Sequence, residues 1–274
     1  MRLFLLTALT MIAFAANSVL NRLALAEGAI GPGDFAAIRL VAGAVMLWGL
    51  VQIGTGPRWP KFQPVGAVSL LLYVLGFSFA YISLEAGVGA LILFGGVQVT
   101  MFAGAALARE QMPPARWIGA LVAFGGLVYL LWPGEAGAPE LLGSGLMLAA
   151  ALGWGIYSLH GRGAVDPVAA TASNFIYATP LGLAAALLWP DAVPLQGTGI
   201  WLAILSGAVT SGLGYALWYS VLPRLPATIA GTAQLTVPII ALGGGILFLG
   251  EALTLRFAIA TVLVLGGIAL SLRK

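Results

Sequence analysis

The hydrophobic pattern along the chain is a series of long apolar runs, each closed off by a charge, by Gly or Pro, or by an interfacial aromatic. Ten such runs can be marked, at about 3–25, 34–53, 64–84, 88–108, 115–133, 141–161, 167–189, 199–222, 227–249 and 255–272. A helix of about 20 apolar residues spans the ~30 Å hydrocarbon core of a bilayer, so the pattern predicts an all-α integral membrane fold of ten transmembrane helices. The opening run has features of a signal peptide, with Arg2 ahead of it and Ala13, Ala15 and Ala16 within it. Removing it would take away the counterpart of the run from Leu141 to Gly161, so it is read as a retained helix.

The pattern is written twice. At an offset of 141 residues Glu251 falls on Glu110, Gly245 on Gly104, and the pair Gly266-Gly267 on Gly125-Gly126. The division is a first five-helix repeat over 1–134, a linker over 135–140 and a second repeat over 141–274. Five is odd, so the second copy enters the membrane from the opposite face. Inverted repeats of this kind recur in secondary transporters, where the substrate site lies near the midplane between the halves.

Charge fixes the expected orientation. Nine of the twelve basic residues (Arg2, Arg58, Lys61, Arg109, Arg116, Arg162, Arg224, Arg273 and Lys274) fall on the side of the N-terminus, and only Arg22, Arg39 and Arg256 fall opposite. Cytoplasmic loops carry the excess of Lys and Arg. Both termini of this multi-pass chain are therefore expected in the cytoplasm.

Composition removes whole classes of function. Hydrophobic residues make up 61% and charged residues 8% of the chain, against about a quarter charged in a soluble domain. There is no cysteine and a single histidine, His160, so thiolate chemistry and histidine metal clusters are out and no cofactor or metal is expected. The basic residues are scattered among connecting segments, which argues against a nucleic acid partner. An enzyme is disfavoured because Ser158 and His160 stand on different helix faces and no carboxylate lies near them at depth. The expected partners are a small-molecule substrate and the lipid bilayer, with no obligate protein partner evident.

Each half ends in a Gly-rich helix, then Glu, then a helix with a glycine pair: Pro238, Gly250-Glu251 and Gly266-Gly267 in the second, Val97, Arg109-Glu110 and Gly125-Gly126 in the first. The halves open on Ala13-Phe14-Ala15-Ala16-Asn17-Ser18 and on Gly153-Trp154-Gly155-Ile156-Tyr157-Ser158. Over the whole chain this resembles the EamA domain family of the drug/metabolite transporter superfamily, and most of all the bacterial aromatic amino acid exporters of the YddG type. The first half departs from the pattern in having Val97 where the second has proline. The resemblance implies a secondary exporter of aromatic or large neutral amino acids working by alternating access. A facilitator or channel for other small neutral or drug-like solutes is the alternative.

The interior side chains were sorted by chemistry. Trp48, Trp59, Trp117, Trp132, Trp189 and Trp201 stand at run ends as interfacial anchors, whereas Trp154 and Trp218 lie deeper. Trp218 matches Phe77 and Tyr219 matches Ser78 at the 141-residue offset, and Tyr215 is one turn away. Intramembrane amides are the second group: Asn17, Gln98 and Gln234 beside small residues that leave room, Asn21 and Asn174 read as interhelical glue. The candidate substrate-binding set is Asn17, Phe77, Ser78, Tyr81, Phe94, Gln98, Trp154, Tyr157, Ser158, Tyr215, Trp218, Tyr219 and Gln234, on the third, fourth, sixth, eighth and ninth helices and the first. Rings stack on apolar solutes while their polar edges hydrogen-bond; each ring taken singly is equally explained by packing.

All nine acids lie at run ends, so no midplane carboxylate is available for proton coupling. Glu110 and Glu251 each precede a helix, where an acid is stabilised by the helix dipole. Arg39 is the one charge inside a run, and two readings stand: snorkelling to the far interface, or binding a carboxylate at the outer cavity rim. His160 is read as an interfacial hydrogen bonder. Pro180 and Pro238 are placed inside helices as kinks, and the glycines at 95, 96, 104, 243, 244 and 245 are expected to let the fourth and ninth helices cross near the centre.

Overall fold

A computed structural model describes residues 1–55, 60–109, 113–133, 137–161, 164–188, 190–225 and 233–272. Its regular elements are helical throughout these residues: α1 (Arg2–Ala26), α2 (Pro32–Thr55), α3 (Pro64–Ala80), α4 (Ala86–Leu107), α5 (Pro114–Leu131), α6 (Leu141–Gly161), α7 (Pro167–Leu188), α8 (Gly197–Val221), α9 (Thr236–Leu249) and α10 (Leu255–Ser271). Seven are long and apolar enough to cross a membrane, and α3, α9 and α10 are shorter apolar helices. Pro32, Pro64, Pro114 and Pro167 open α2, α3, α5 and α7, at the position where a missing N–H costs nothing.

The surface is apolar: Leu121, Phe124, Leu247, Phe248 and Val262 are all more than half exposed. Polar side chains such as Asn17, Asn21, Arg39 and Ser211 are buried instead. That distribution suits hydrocarbon as the solvent, and the protein is a multi-pass membrane protein.

Helices α5 and α10, α2 and α7, α3 and α6, and α4 and α6 pack against one another, while α1 lies on α8 and α9. One glycine of each pair in the sequence repeat, Gly126 and Gly267, serves these contacts. A Cβ at Gly119 would stand 2.4 Å from the Gly267 carbonyl oxygen, and one at Gly267 would stand 2.6 Å from the Gly119 carbonyl oxygen. Only glycine lets α5 and α10 approach so closely.

Charged groups at one end of the bundle close its helix termini. The Arg22 guanidinium at the end of α1 donates to the carbonyls of Tyr81 (3.1 Å) and Ile82 (2.7 Å) and stands 3.8 Å from Glu251. The Glu251 carboxylate accepts the Ala86 N–H at 2.8 Å and so caps α4, not the helix that follows it in sequence; α10 is capped by the Thr254 hydroxyl, which accepts from the Phe257 N–H. Asp191 accepts from Gly33 (2.9 Å) and Asp34 (3.2 Å) at the start of α2. Glu140 caps its own helix through the N–H groups of Leu142 and Gly143. Arg256 donates to the carbonyls of Tyr129, Leu130 and Trp132, which α5 leaves unpaired at its end.

Several expectations change. Arg39 does not snorkel: it is completely buried and held by hydrogen bonds from within the bundle. Pro238 falls in the first turn of α9, where it displaces no helical hydrogen bond, whereas Pro180 is inside α7. Gly95 and Gly96, expected to meet the ninth helix, face Leu127 and Val264 and Ala151 respectively; α9 approaches α4 near its start, at Gly87 and Leu242. Between Leu205 and Leu213, α8 is a π-helix, which the sequence did not announce. Glu110, Trp59, Trp189, Arg162, linker residues 135–136 and the start of the ninth run lie outside the described residues.

Candidate functional site

Local sequence places one ring-bearing stripe on α3. Tyr73, Phe77 and Tyr81 recur every fourth residue and therefore share a helix face; Tyr73 and Phe77 stand 5.3 Å apart and Phe77 and Tyr81 4.7 Å apart, centroid to centroid. Trp154 of α6 meets this stripe at Tyr73 (4.9 Å), lies on Tyr157 of its own helix (5.3 Å) and contacts Tyr215 of α8 (5.0 Å). Phe14 of α1 closes the ring edge-on against Tyr215 (5.8 Å) and Trp218 (5.9 Å).

These side chains enclose a cleft lined by Phe14, Asn17, Tyr73, Phe77, Leu93, Phe94, Trp154 and Tyr215. Its volume is about 20 Å³, room for about one water molecule. The bundle is therefore described in a closed form, and a solute the size of an amino acid needs a movement of helices to enter. A larger apolar groove of about 400 Å³ runs between α4, α5 and α6.

A polar network runs along one side of the cleft. The Asn17 side-chain oxygen accepts from Ser206 (2.8 Å) and Thr210 (2.5 Å), and its amide reaches Ser211 at 3.4 Å. Asn21 donates to the Asn17 carbonyl (2.8 Å) and accepts from Ser78 (3.2 Å). Ser206, Thr210 and Ser211 all belong to the π-helical stretch of α8, a local widening that is frequent at functional sites. From the other side Arg39 donates to Ser211 (3.1 Å) and to the Tyr73 hydroxyl (3.0 Å). Its guanidinium carbon lies 5.0 Å from the Phe77 ring centre and 5.2 Å from that of Tyr73.

Of the thirteen candidates, Asn17, Phe77, Phe94, Trp154 and Tyr215 line the cleft. Trp218 and Tyr157 are one ring removed from it, and the Tyr157 hydroxyl donates to Thr171 at 3.0 Å. Tyr219 is partly buried near Tyr157 and Thr171. Ser78 is committed to Asn21, Tyr81 to the Ala86 carbonyl, and Ser158 to the Trp154 carbonyl of its own helix. Gln98 and Gln234 are partly buried and do not line the cleft. Sequence reasoning missed Phe14, Tyr73 and Leu93 as neighbours of the site; Arg39, read as either a snorkelling or a carboxylate-binding group, stood outside the candidate set. The four-residue spacing of Tyr73 from Phe77 was the available signal for one of them.

Comparison with known proteins agrees with this architecture. The sequence profile of the EamA-like transporter family matches residues 141–273. An uncharacterised protein of Pseudomonas aeruginosa is 47% identical over 272 residues, covering 99% of this chain and 94% of its own. An uncharacterised transporter of Archaeoglobus fulgidus is 24% identical over 89% of this chain and 90% of its own, and the uncharacterised transporter YoaV of Bacillus subtilis is 26% identical over 47% and 46%. A crystal structure of another protein superposes with a TM-score of 0.68 over 95% of this chain and 94% of that one, at 22% identity, which shows a shared fold. The second half of this apolar helical bundle, residues 141–273, thus carries an EamA-like transporter domain, and the chain is similar to uncharacterised transporters.

Proposed function

We propose that this membrane transporter is a secondary exporter of the bacterial inner membrane that carries small amphipathic metabolites, aromatic or large neutral amino acids above all. The ten helices form two inverted five-helix repeats, 1–134 and 141–274, joined by the linker at 135–140, with both termini in the cytoplasm. The repeat reading is supported by the packing: α2 with α7, α4 with α9 and α5 with α10 each pair a helix with its counterpart five places on, and α3 on α6 has its counterpart in α1 on α8.

The observation that carries the substrate reading is the cleft itself. Aromatic side chains from α1, α3, α4, α6 and α8 converge on it beside one amide, Asn17, a surface suited to an apolar body with a polar head. Its small volume suits alternating access: rocking one half against the other would open it to each face in turn. The test is uptake competition in proteoliposomes across amino acids, polyamines and nucleotide sugars, for the wild type and for Trp218→Ala and Gln98→Ala. Competition by aromatic and large neutral amino acids supports the reading; competition confined to polyamines or nucleotide sugars overturns it.

A further inference from the structure

We infer that Arg39 is the group that recognises the substrate's carboxylate, so that the transported solutes are carboxylates or zwitterions and not amines or amides of the same body. This rests on the central cleft being the transport site, and it adds the charge of the solute, which the aromatic lining alone does not specify.

A guanidinium is always charged, and burying it is costly unless it is paired. Arg39 is fully buried, yet among the described residues no carboxylate stands within 4 Å of it; Glu251 pairs with Arg22. Its Nε and Nη2 are satisfied by neutral hydroxyls of Ser211 and Tyr73. Its Nη1 has no hydrogen-bond partner. The Tyr215 hydroxyl, on a residue that lines the cleft, faces Arg39 and Tyr73 and makes no hydrogen bond of good geometry with either. Two buried donors are thus left open beside the cleft, both at its polar side.

The surroundings favour an anion over a purely structural cation. Tyr73 and Phe77 line the cleft and also lie against the guanidinium, so a solute stacked on those rings would have its head group next to Nη1. Ser211 joins Arg39 to Asn17, and with Tyr73 it holds the guanidinium by Nε and Nη2 while Nη1 has no partner. Gly207 permits the close approach: a Cβ there would stand 2.3 Å from the Arg39 carbonyl oxygen. A carboxylate supplies two acceptor oxygens, one for Nη1–H and one for Tyr215 O–H, and a charge to match.

The test is ligand-induced thermal stabilisation of the purified protein in detergent, with tryptophan, indole-3-propionate and leucine set against tryptophanamide, tryptamine and leucinamide. The variants are Arg39→Gln, Arg39→Lys and Tyr215→Phe. The expected result is that the wild type binds each acid at least tenfold more tightly than its amide or amine. Arg39→Gln loses that preference, Arg39→Lys keeps part of it, and Tyr215→Phe, which retains the ring, weakens acids more than amides. If Arg39→Gln fails to fold, Arg39→Lys and Tyr215→Phe carry the test. Equal binding of acids and amides by the wild type, or an unchanged preference in the variants that fold, overturns the inference while leaving the aromatic reading intact. A preference for acids that is the same for the leucine and the tryptophan body supports the inference and removes aromatic rings as the basis of selection. Stabilisation by none of the six compounds overturns both.

Discussion

The side-chain oxygen of Asn17 and the hydroxyl of Thr210 meet at 2.5 Å across the interface between α1 and α8. The same oxygen accepts from Ser206 one turn earlier, so α8 presents two hydroxyls to one amide. The π-helical winding from Leu205 to Leu213 brings Ser206, Thr210 and Ser211 onto a shared side. Intramembrane hydrogen bonds of this kind contribute about 0.6 kcal/mol on average, up to about 1.7 kcal/mol.

Replacing Thr210 by Val removes one of these bonds without changing the shape of the side chain. The expected cost is therefore small, about 0.5 to 1 kcal/mol. Asn17→Leu should cost more, about 1 to 3 kcal/mol, because it removes the acceptor shared by the Ser206 and Thr210 hydroxyls together with the donor to Ser211. Unfolding in mixed micelles, read for both single variants and the double, should show the two effects to be non-additive, since one network is being dismantled twice.

Two adjacent glycines of α10 are expected to respond in opposite directions. Nothing lies within 4 Å of a Cβ built at Gly266, whereas one at Gly267 would stand 2.5 Å from the Ala123 backbone nitrogen and 2.6 Å from the Gly119 carbonyl oxygen. Gly267→Ala must push α10 away from α5, at a cost of about 1 to 3 kcal/mol. Gly266→Ala meets no obstacle and gains helix propensity, up to about 1 kcal/mol. The melting temperatures of the two variants should bracket that of the wild type.

Glu251 and Glu140 are expected to give stability–pH slopes of opposite sign. Burial is the main influence on the Glu251 carboxyl and raises its pKa above the ordinary glutamate value, with the Ala86 N–H acting against it. The folded protein therefore holds that proton to higher pH than the unfolded chain, so its contribution is fully present below the unfolded pKa and is lost as pH rises through the raised value. Glu140 is the reverse case: the N–H groups of Gly143 and Leu142 hold its pKa below the ordinary value, so its contribution is present above the unfolded pKa and is lost as pH falls through the lowered one. Melting curves from pH 3.5 to 8 (about one unit below the model-peptide value of Glu and several above) should show the wild type losing stability relative to Glu251→Gln as pH rises. Relative to Glu140→Gln it should gain.

How far the sequence discloses this molecule depends on the kind of interaction involved. Helix positions were legible because apolar runs and the prolines at 32, 64, 114 and 167 are local signals. The glycine repeat is legible as a pattern, yet its partners are not: Gly267 is a motif residue in the sequence, and only the packing of α5 on α10 shows that it meets Gly119. The same holds for Glu251, whose carboxylate reaches 165 residues back in the chain to cap α4. Phe77, Trp154 and Tyr215 were found by their chemistry and depth. Arg39 admits two readings in the sequence because an apolar run sets the depth of a residue in the bilayer and not the neighbour it faces; burial against Tyr73 and Ser211 is a tertiary fact. The π-helical stretch of α8 likewise has no signature in composition.

Trp154 is where the aromatic reading of the cleft is most exposed to a single substitution. Its ring touches Tyr73, Tyr157 and Tyr215, so it ties α3, α6 and α8 together around the cleft and offers a stacking surface. Truncation to Ala removes a large part of the lining, and the helices in contact there include Gly153, whose Cβ position lies 2.7 Å from the Ser69 carbonyl oxygen, too close for α3 and α6 to collapse further into the space. The cleft should therefore enlarge and persist. Binding of tryptophan and phenylalanine should weaken at least tenfold, the equivalent of about 1.4 kcal/mol, because the stacking partner is gone. Binding of leucine should change less than threefold. Trp154→Phe, which keeps a ring in place, should recover most of the aromatic preference. Competition assays with the three amino acids on both variants check this; equal losses for tryptophan and leucine would show that Trp154 only holds helices together.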